Sequence, residues 1–278
     1  MVETAAAVHT AFVNGVALWA SRIPGWAVAA PVLRGEAAAP DPPAPRPAPS
    51  LLAPTERRRA PDTVAIALEV ASRACEAAGA DPRELASVFA CTEGDLAIND
   101  YMSETLARTP LLVSPIRFHN SVHNAAAGYW TIGTGCMQPY TALSAHHDTF
   151  GEGLLEALVQ AESSGRPVLF VAYDIESRGP LSTVAPSKGI VGAAAVVAPQ
   201  AGARPLAQLR WRTARGSERT APLARNADLV AGNAMAPCLP FYEALAIEEQ
   251  RTVRLGLSPS MLLELVFDFP AAHEGRSQ

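Results

Sequence analysis

Between residues 63 and 199 the sequence alternates helical and strand-like segments, and that alternation restricts the chain to a layered α/β fold. A helix is predicted over Thr63–Ala78, with Val64, Ala67, Leu68, Ala71, Cys75 and Ala78 on its apolar side, Glu69, Arg73 and Glu76 opposite, and Gly79 as its stop. Asp62 is the expected N-cap. A strand at Ser87–Cys91 follows, then helices over Ile98–Ala107 and Ser121–Ile132. Next, an apolar strand, Tyr140–Ala145, runs without a Gly hinge into a helix with Phe150, Leu154, Leu158 and Ala161 on one face. Gly165 stops that helix before a buried strand at Pro167–Tyr173.

Outside this stretch the pattern is richer in strand. Ala11–Leu18, Gly192–Ala198, Leu206–Thr213, Thr252–Leu257 and Met261–Phe267 read as strands, with one helix near Phe241–Gln250. With no Gly/Ser linker and no internal repeat, residues 1–278 read as one domain. The Pro/Ala tract Ala37–Pro49, within a loop over 37–54, is expected to be an extended or disordered surface connector, since Pro fixes φ and removes donors.

Composition excludes several functions. At 278 residues and 49% hydrophobic, the chain buries a large core. Its net charge of −5 and a single lysine, Lys188, argue against nucleic acid, which selects clustered cations. Four widely spaced cysteines, Cys75, Cys91, Cys136 and Cys238, read as reduced thiols of a cytoplasmic protein. The apolar runs Val168–Tyr173 and Ile190–Pro199 are too short to span a bilayer. The first residues lack a basic segment, carry Glu3, and interrupt their apolar run with His9 and Asn14, so no secretion signal is expected.

The usual motifs of chemistry are weak here. His119 and His123 have the i, i+4 spacing of a helical zinc pair, but the intervening glutamate and a third ligand are missing. The expectation is that His119, Asn120, His123 and Asn124 satisfy backbone groups around a helix start, and that no metal is bound. His146, His147 and Asp148 are adjacent and so point in different directions. Gly133-Thr134-Gly135 lacks the third glycine of a dinucleotide fingerprint, and neither a P-loop nor a G-x-S-x-G elbow is present. Cys91 and Cys136 read as small buried hydrophobes.

The segment Ser114–Trp130, SPIRFHNSVHNAAAGYW, together with residues 15–35, 51–71, 88–95, 144–161 and 167–174 in the same order, resembles the β-ketoacyl synthase-like chain-length factors of aryl polyene (xanthomonadin-type) biosynthesis. The resemblance implies a thiolase-like layered fold, α-β-α-β-α, of two similar halves. Residues 10–200 are the first half, 201–268 a truncated second half, and 269–278 a polar tail expected to be disordered. In active synthases the turn after the Tyr140–Ala145 equivalent presents a cysteine at a helix N-terminus, where unpaired N–H groups and the dipole favour thiolate. Counting along the resemblance places His147 there, and no cysteine lies between Cys136 and Cys238. The two catalytic histidines of the second half also lack counterparts, since only His273 follows His147.

The function so implied is a non-catalytic subunit that pairs with an active β-ketoacyl-acyl-carrier-protein synthase and limits chain extension, without a cofactor. Tyr140, Leu143, His146, His147, Phe150, His119 and His123 are its acyl-pocket or interface candidates. Arg57, Arg58 and Arg59 are the candidate contacts for an acyl carrier protein and its phosphopantetheine-bound chain. The alternatives are a stand-alone condensing or acyl-transfer enzyme using Cys91, Cys136 or His147, and a homodimeric acyl-binding relative.

Overall fold

The computed structural model describes residues 7–270. In chain order the elements are β1 (His9–Ala20), β2 (Ile23–Pro24), α1 (Trp26–Arg34), α2 (Pro54–Arg59), α3 (Asp62–Ala78), β3 (Ala86–Ala90), α4 (Leu96–Arg108), α5 (Pro115–Asn120), α6 (Ala125–Thr134), β4 (Tyr140–Leu143), α7 (Thr149–Ser164), β5 (Val168–Asp174), β6 (Val191–Ala198), β7 (Ala207–Arg215), α8 (Leu239–Ile247), β8 (Arg251–Ser258) and β9 (Met261–Asp268). The strands join in the order β4-β3-β5-β6-β1-β7-β9-β8, with β2 paired to β1 off this path. β3 lies parallel to β4 and β5, and the other pairings are antiparallel.

β1 bridges the two halves. Its first residues, His9–Val13, pair with β7, and Phe12–Ala20 pair with β6, with an irregularity between Val13 and Gly15. α3 and α6 cover one face of the first five strands, burying Val64, Ile66, Leu68 and Trp130 against Phe89, Leu169 and Val171. On the opposite face α7 and α8 lie between these strands and the β7-β9-β8 segment, in a second core built on Phe150, Phe170, Phe241, Tyr242 and Phe267. Tyr242 donates its hydroxyl to the Ala194 carbonyl at 2.9 Å, so α8 is bonded to β6 as well as packed on it. Each large apolar side chain so enclosed contributes about 1.5–3 kcal/mol.

α7 is a helix between two β layers, and two glycines permit this. A Cβ on Gly151 would collide with the Gly256 carbonyl of β8, and one on Gly153 would sit 2.7 Å from both Ala90 Cβ and the Phe170 ring. The sequence TFGEGLLEA thus lets the helix backbone touch strands on both sides.

The fold is thiolase-like and layered. Among the described residues, α7 and α8 are the helices packed on β8 and β9, and the other face of these strands is polar. Arg210 pairs with Asp268 at 2.9 Å, and Glu264 accepts from Arg212 at 2.6 Å and from Arg254 at 3.0 Å. The β8 edge is capped by its own chain: Thr220 donates its N–H to the Arg254 carbonyl, and its Oγ1 accepts from Arg254 N–H, both at 2.9 Å. Among the described residues the β4 edge has no such cover.

Several sequence expectations need correction. The helix expected over Ser121–Ile132 starts only at Ala125, as α6; residues 121–124 form a turn that separates it from the short helix α5 before it. Asp62 lies inside α3, not at its cap, which is Pro61; its carboxylate pairs with Arg46. The Pro/Ala tract forms neither helix nor strand, and it is pinned: Ala44 N–H donates to Ser21 O at 2.7 Å, and Arg46 donates to Ala60 O. The C-terminal helix starts before Phe241 and ends at Ile247, where Glu248 turns left-handed (φ 58°). In the tail, Phe269 stacks on Phe267 with centroids 6.4 Å apart; residues 271–278, with His273, lie outside the described part.

Candidate functional site

The turn from β4 into α7 is the site singled out by the sequence. β4 is a four-residue edge strand parallel to β3, ending with the Leu143 carbonyl bonded to Cys91 N–H at 3.2 Å. The chain then makes a single 3₁₀ turn, His146–Asp148, before α7. No glycine supplies the sharp corner; His146 takes it in left-handed conformation, φ 51°. Thr149 holds the corner from inside, its hydroxyl donating to the His146 carbonyl at 2.7 Å and accepting from Ala145 N–H at 3.0 Å. The residue with elbow geometry is therefore His146, one position before the His147 reached by counting.

Both imidazoles are exposed, and instead of pointing apart as adjacent side chains were expected to, they stack with centroids 3.8 Å apart, because the left-handed His146 turns its ring toward His147. Behind them Asp148 is mostly enclosed, and Arg219, from the loop covering β8, places Nη2 2.7 Å from its Oδ1. This is an ion pair by distance, although no N–H is aimed at that oxygen. The second half thus meets the turn with an arginine.

The neighbouring strand ends are closed to nucleophilic chemistry. Asp174, at the end of β5, is buried and accepts from Thr92 N–H and Glu93 N–H at 3.0 Å each and from the Cys91 thiol at 3.3 Å. Burial raises its pKa above the ordinary carboxylate value, against those donors. The Cys91 thiol is pushed well up, first by its own burial and then by the Asp174 charge. Cys75 and Cys238 are pushed up to about 12, mainly by burial. Cys136 is buried, its thiol donating to the Leu85 carbonyl at 3.5 Å. All four thiols are enclosed, and none has the electropositive, accessible setting of a reactive thiolate.

The other candidates scatter. Tyr140 and Leu143 stand on the open edge strand, and Tyr140 accepts at its hydroxyl from Asn124 Nδ2 at 2.9 Å. Phe150 is a core residue, not a surface one: Phe170, Phe241 and Tyr242 surround it. His119 and His123 do not share a helix, because the interruption at 121–124 separates them. His123 Nε2 meets the Cys91 carbonyl at 2.9 Å, the structural role expected of it, while His119 stands edge-on to Tyr129. Arg57 turns back to the Leu52 carbonyl at 2.9 Å, leaving Arg58 and Arg59 exposed on α2. Among the described residues no group of three His, Cys, Asp or Glu side chains is placed to close around a metal.

One feature had no clear sequence signal. The stretch from α4 to the start of β4 exposes several apolar side chains: Leu106 in α4, Leu111 and Leu112 in the turn after it, Ile116 and Phe118 in α5, Val122 between α5 and α6, Ile132 in α6 and Met137 before β4, with Leu111 97% and Met137 93% accessible. So many in one stretch of chain make it a candidate surface for a partner.

A sequence model for the β-ketoacyl synthase N-terminal domain matches residues 30–252, most of the chain and all of the turn. The chain belongs to the β-ketoacyl synthase family. No curated protein matches it. Among solved structures, one resembling it is the ketosynthase ApeO in complex with its chain length factor ApeC from Xenorhabdus doucetiae, at 21% identity and a TM-score of 0.70, covering 92% of this chain and 99% of that one. The ishigamide ketosynthase/chain length factor gives 17% identity and 0.68, covering 94% and 99%. The AntDE:AntF complex, a type II polyketide synthase acyl-carrier protein with its ketosynthase, gives 11% and 0.72, covering 95% and 100%. At these identities the likeness is one of fold. No described helix is long and apolar enough to cross a membrane.

Proposed function

We propose that this chain is a non-catalytic, chain-length-factor-like subunit that pairs with an active ketosynthase and helps shape the pocket for a growing aryl polyene chain. The observation that carries the reading is the turn itself. It has the corner and the helix N-terminus of a condensing-enzyme elbow, but offers His146 and His147 where the attacking sulfur belongs. The enclosure of all four thiols weighs against a displaced nucleophile. A neutral imidazole can attack a thioester, but acyl-imidazoles are labile and hold a growing chain poorly.

The open β4 edge and the apolar surface beside it favour a partner chain over an independent enzyme. In this reading the ketosynthase seats on that surface, and the exposed Arg58 and Arg59 are available to an acidic acyl carrier protein. Co-expression with an active ketosynthase of an aryl polyene system, followed by size-exclusion chromatography and mass spectrometry, tests the assignment. The expected result is a one-to-one complex in which activated acyl thioester labels the ketosynthase and leaves this chain unmodified. A stable acyl adduct on this chain supports the stand-alone enzyme reading instead.

A further inference from the structure

On the hydrogen-bonded path through the sheet, a short run of β1, His9–Val13, joins the first five strands to β7-β9-β8 by pairing with Ala207–Trp211. His9 closes the far end of that join, directly opposite Trp211. Its imidazole stacks on the Trp211 indole, with centroids 4.4 Å apart and planes 22° from parallel. Its Nδ1 lies 2.8 Å from Glu162 Oε1, near the end of α7. One side chain thus fastens β1 to β7 and to α7 at once.

Glu162 is the charged group that faces the ring. Ala7 before β1, Leu155, Val159 and Ser163 from α7, and Thr213 from β7 complete the groove around it. The neighbouring cations of β7, Arg210 and Arg212, alternate with Trp211 and so project from the other face of the sheet, where they pair with Asp268 and Glu264. An imidazolium gains twice in this setting, from the carboxylate and from the face of the indole. A neutral imidazole can still donate from Nδ1, but both electrostatic gains are gone.

We propose that His9 is a pH-responsive clamp on the β1–β7 join, tightened when its ring takes up a proton and slackened when the ring is neutral. The extra hold of the charged ring is present at pH below the imidazole range and is lost as pH rises through it. The His9 and Glu162 side chains remain 33% and 47% accessible, so solvent screens the pair. The clamp therefore modulates the join and does not decide whether the chain folds. It acts in the chain alone, whatever partner the β4 edge meets.

Thermal unfolding of the full chain and of His9→Gln, at pH of about 5.5 and of about 8, tests this, because glutamine can keep a bond to Glu162 but cannot take the charge. The substitution should lower Tm by about 1–3 °C at the acid pH, and the loss should shrink at the alkaline one. Glu162→Gln should show the same trend, and in its background the His9→Gln loss should no longer depend on pH. Amide exchange supplies the local reading. Protection at residues 10–13, corrected for the intrinsic pH dependence of exchange, should fall several-fold from the acid to the alkaline pH in the wild type and not in His9→Gln. A Tm loss that is equal at both pH values, or larger at the alkaline one, overturns the inference. So does wild-type protection at 10–13 that stays level between them, a result that decides the matter should either variant fail to fold.

Discussion

His146 occupies a backbone conformation that disfavours any residue with a Cβ, by about 1–2 kcal/mol, and it does so in a turn that Thr149 holds from within. Substitution by glycine removes that penalty. His146→Gly is therefore expected to raise unfolding stability by about 0.5–1 kcal/mol, net of the extra chain entropy of glycine and the lost stack on His147, as read from urea denaturation. Strain at a position where the chain could have used glycine points to a role for the side chain. Counting along the sequence reached His147 because nothing in an unbroken SAHHDT run marks which residue turns left-handed; that is set by Thr149 and by α7 fitting between two β layers. His147→Cys and His146→Cys should both fail to give condensation by the chain alone, measured as ketoacyl product release, because no described histidine pair accompanies a new thiolate.

At the scale of elements, α7 was the most readable part of the chain. Phe150, Leu154, Leu158 and Ala161 repeat at helical spacing and are all buried. Its two glycines carried no such signal, because their need arises from contact with β8 and β3, remote in sequence. Gly151→Ala should be expensive for so small a change, about 2–3 kcal/mol in denaturant unfolding, since its Cβ meets backbone and not a movable side chain. The interruption between α5 and α6 was unreadable for a related reason: 121–124 contains no Gly or Pro, and the helix breaks where Asn120 turns inward and His123 reaches Cys91. The β7-β9-β8 face gives a pH signature. Glu264 is held below its ordinary value of 4.5, first by the Arg212 hydrogen bond. Its contribution is complete above that ordinary value and is lost as pH falls through the lower folded value. Glu264→Gln should accordingly destabilise the chain near neutrality and flatten the acid limb of a stability–pH profile, the difference from wild type closing once the pH is below the lowered folded value.

For the whole molecule, the two ends of the sheet differ in kind. At β8 the chain covers its own edge with Thr220, and the exposed strand face beyond it is dressed in ion pairs. At β4 the edge is bare among the described residues, and the chain leading to it displays Leu111, Leu112, Phe118 and Met137 to solvent. Charge thus dresses one end of the sheet, while bulky apolar side chains stand exposed in the chain leading to the other. Permanent interfaces of that character bury on the order of 2,000 Å² or more and lose affinity sharply when a charge enters their centre. Leu143, half-buried at the end of β4, tests this most directly. Leu143→Asp should abolish the complex with an active ketosynthase in size-exclusion chromatography, whereas Arg212→Glu on the opposite face should leave it intact. If the Leu143 variant still co-elutes with the ketosynthase at wild-type stoichiometry, the partner surface lies elsewhere and the bare edge has another use.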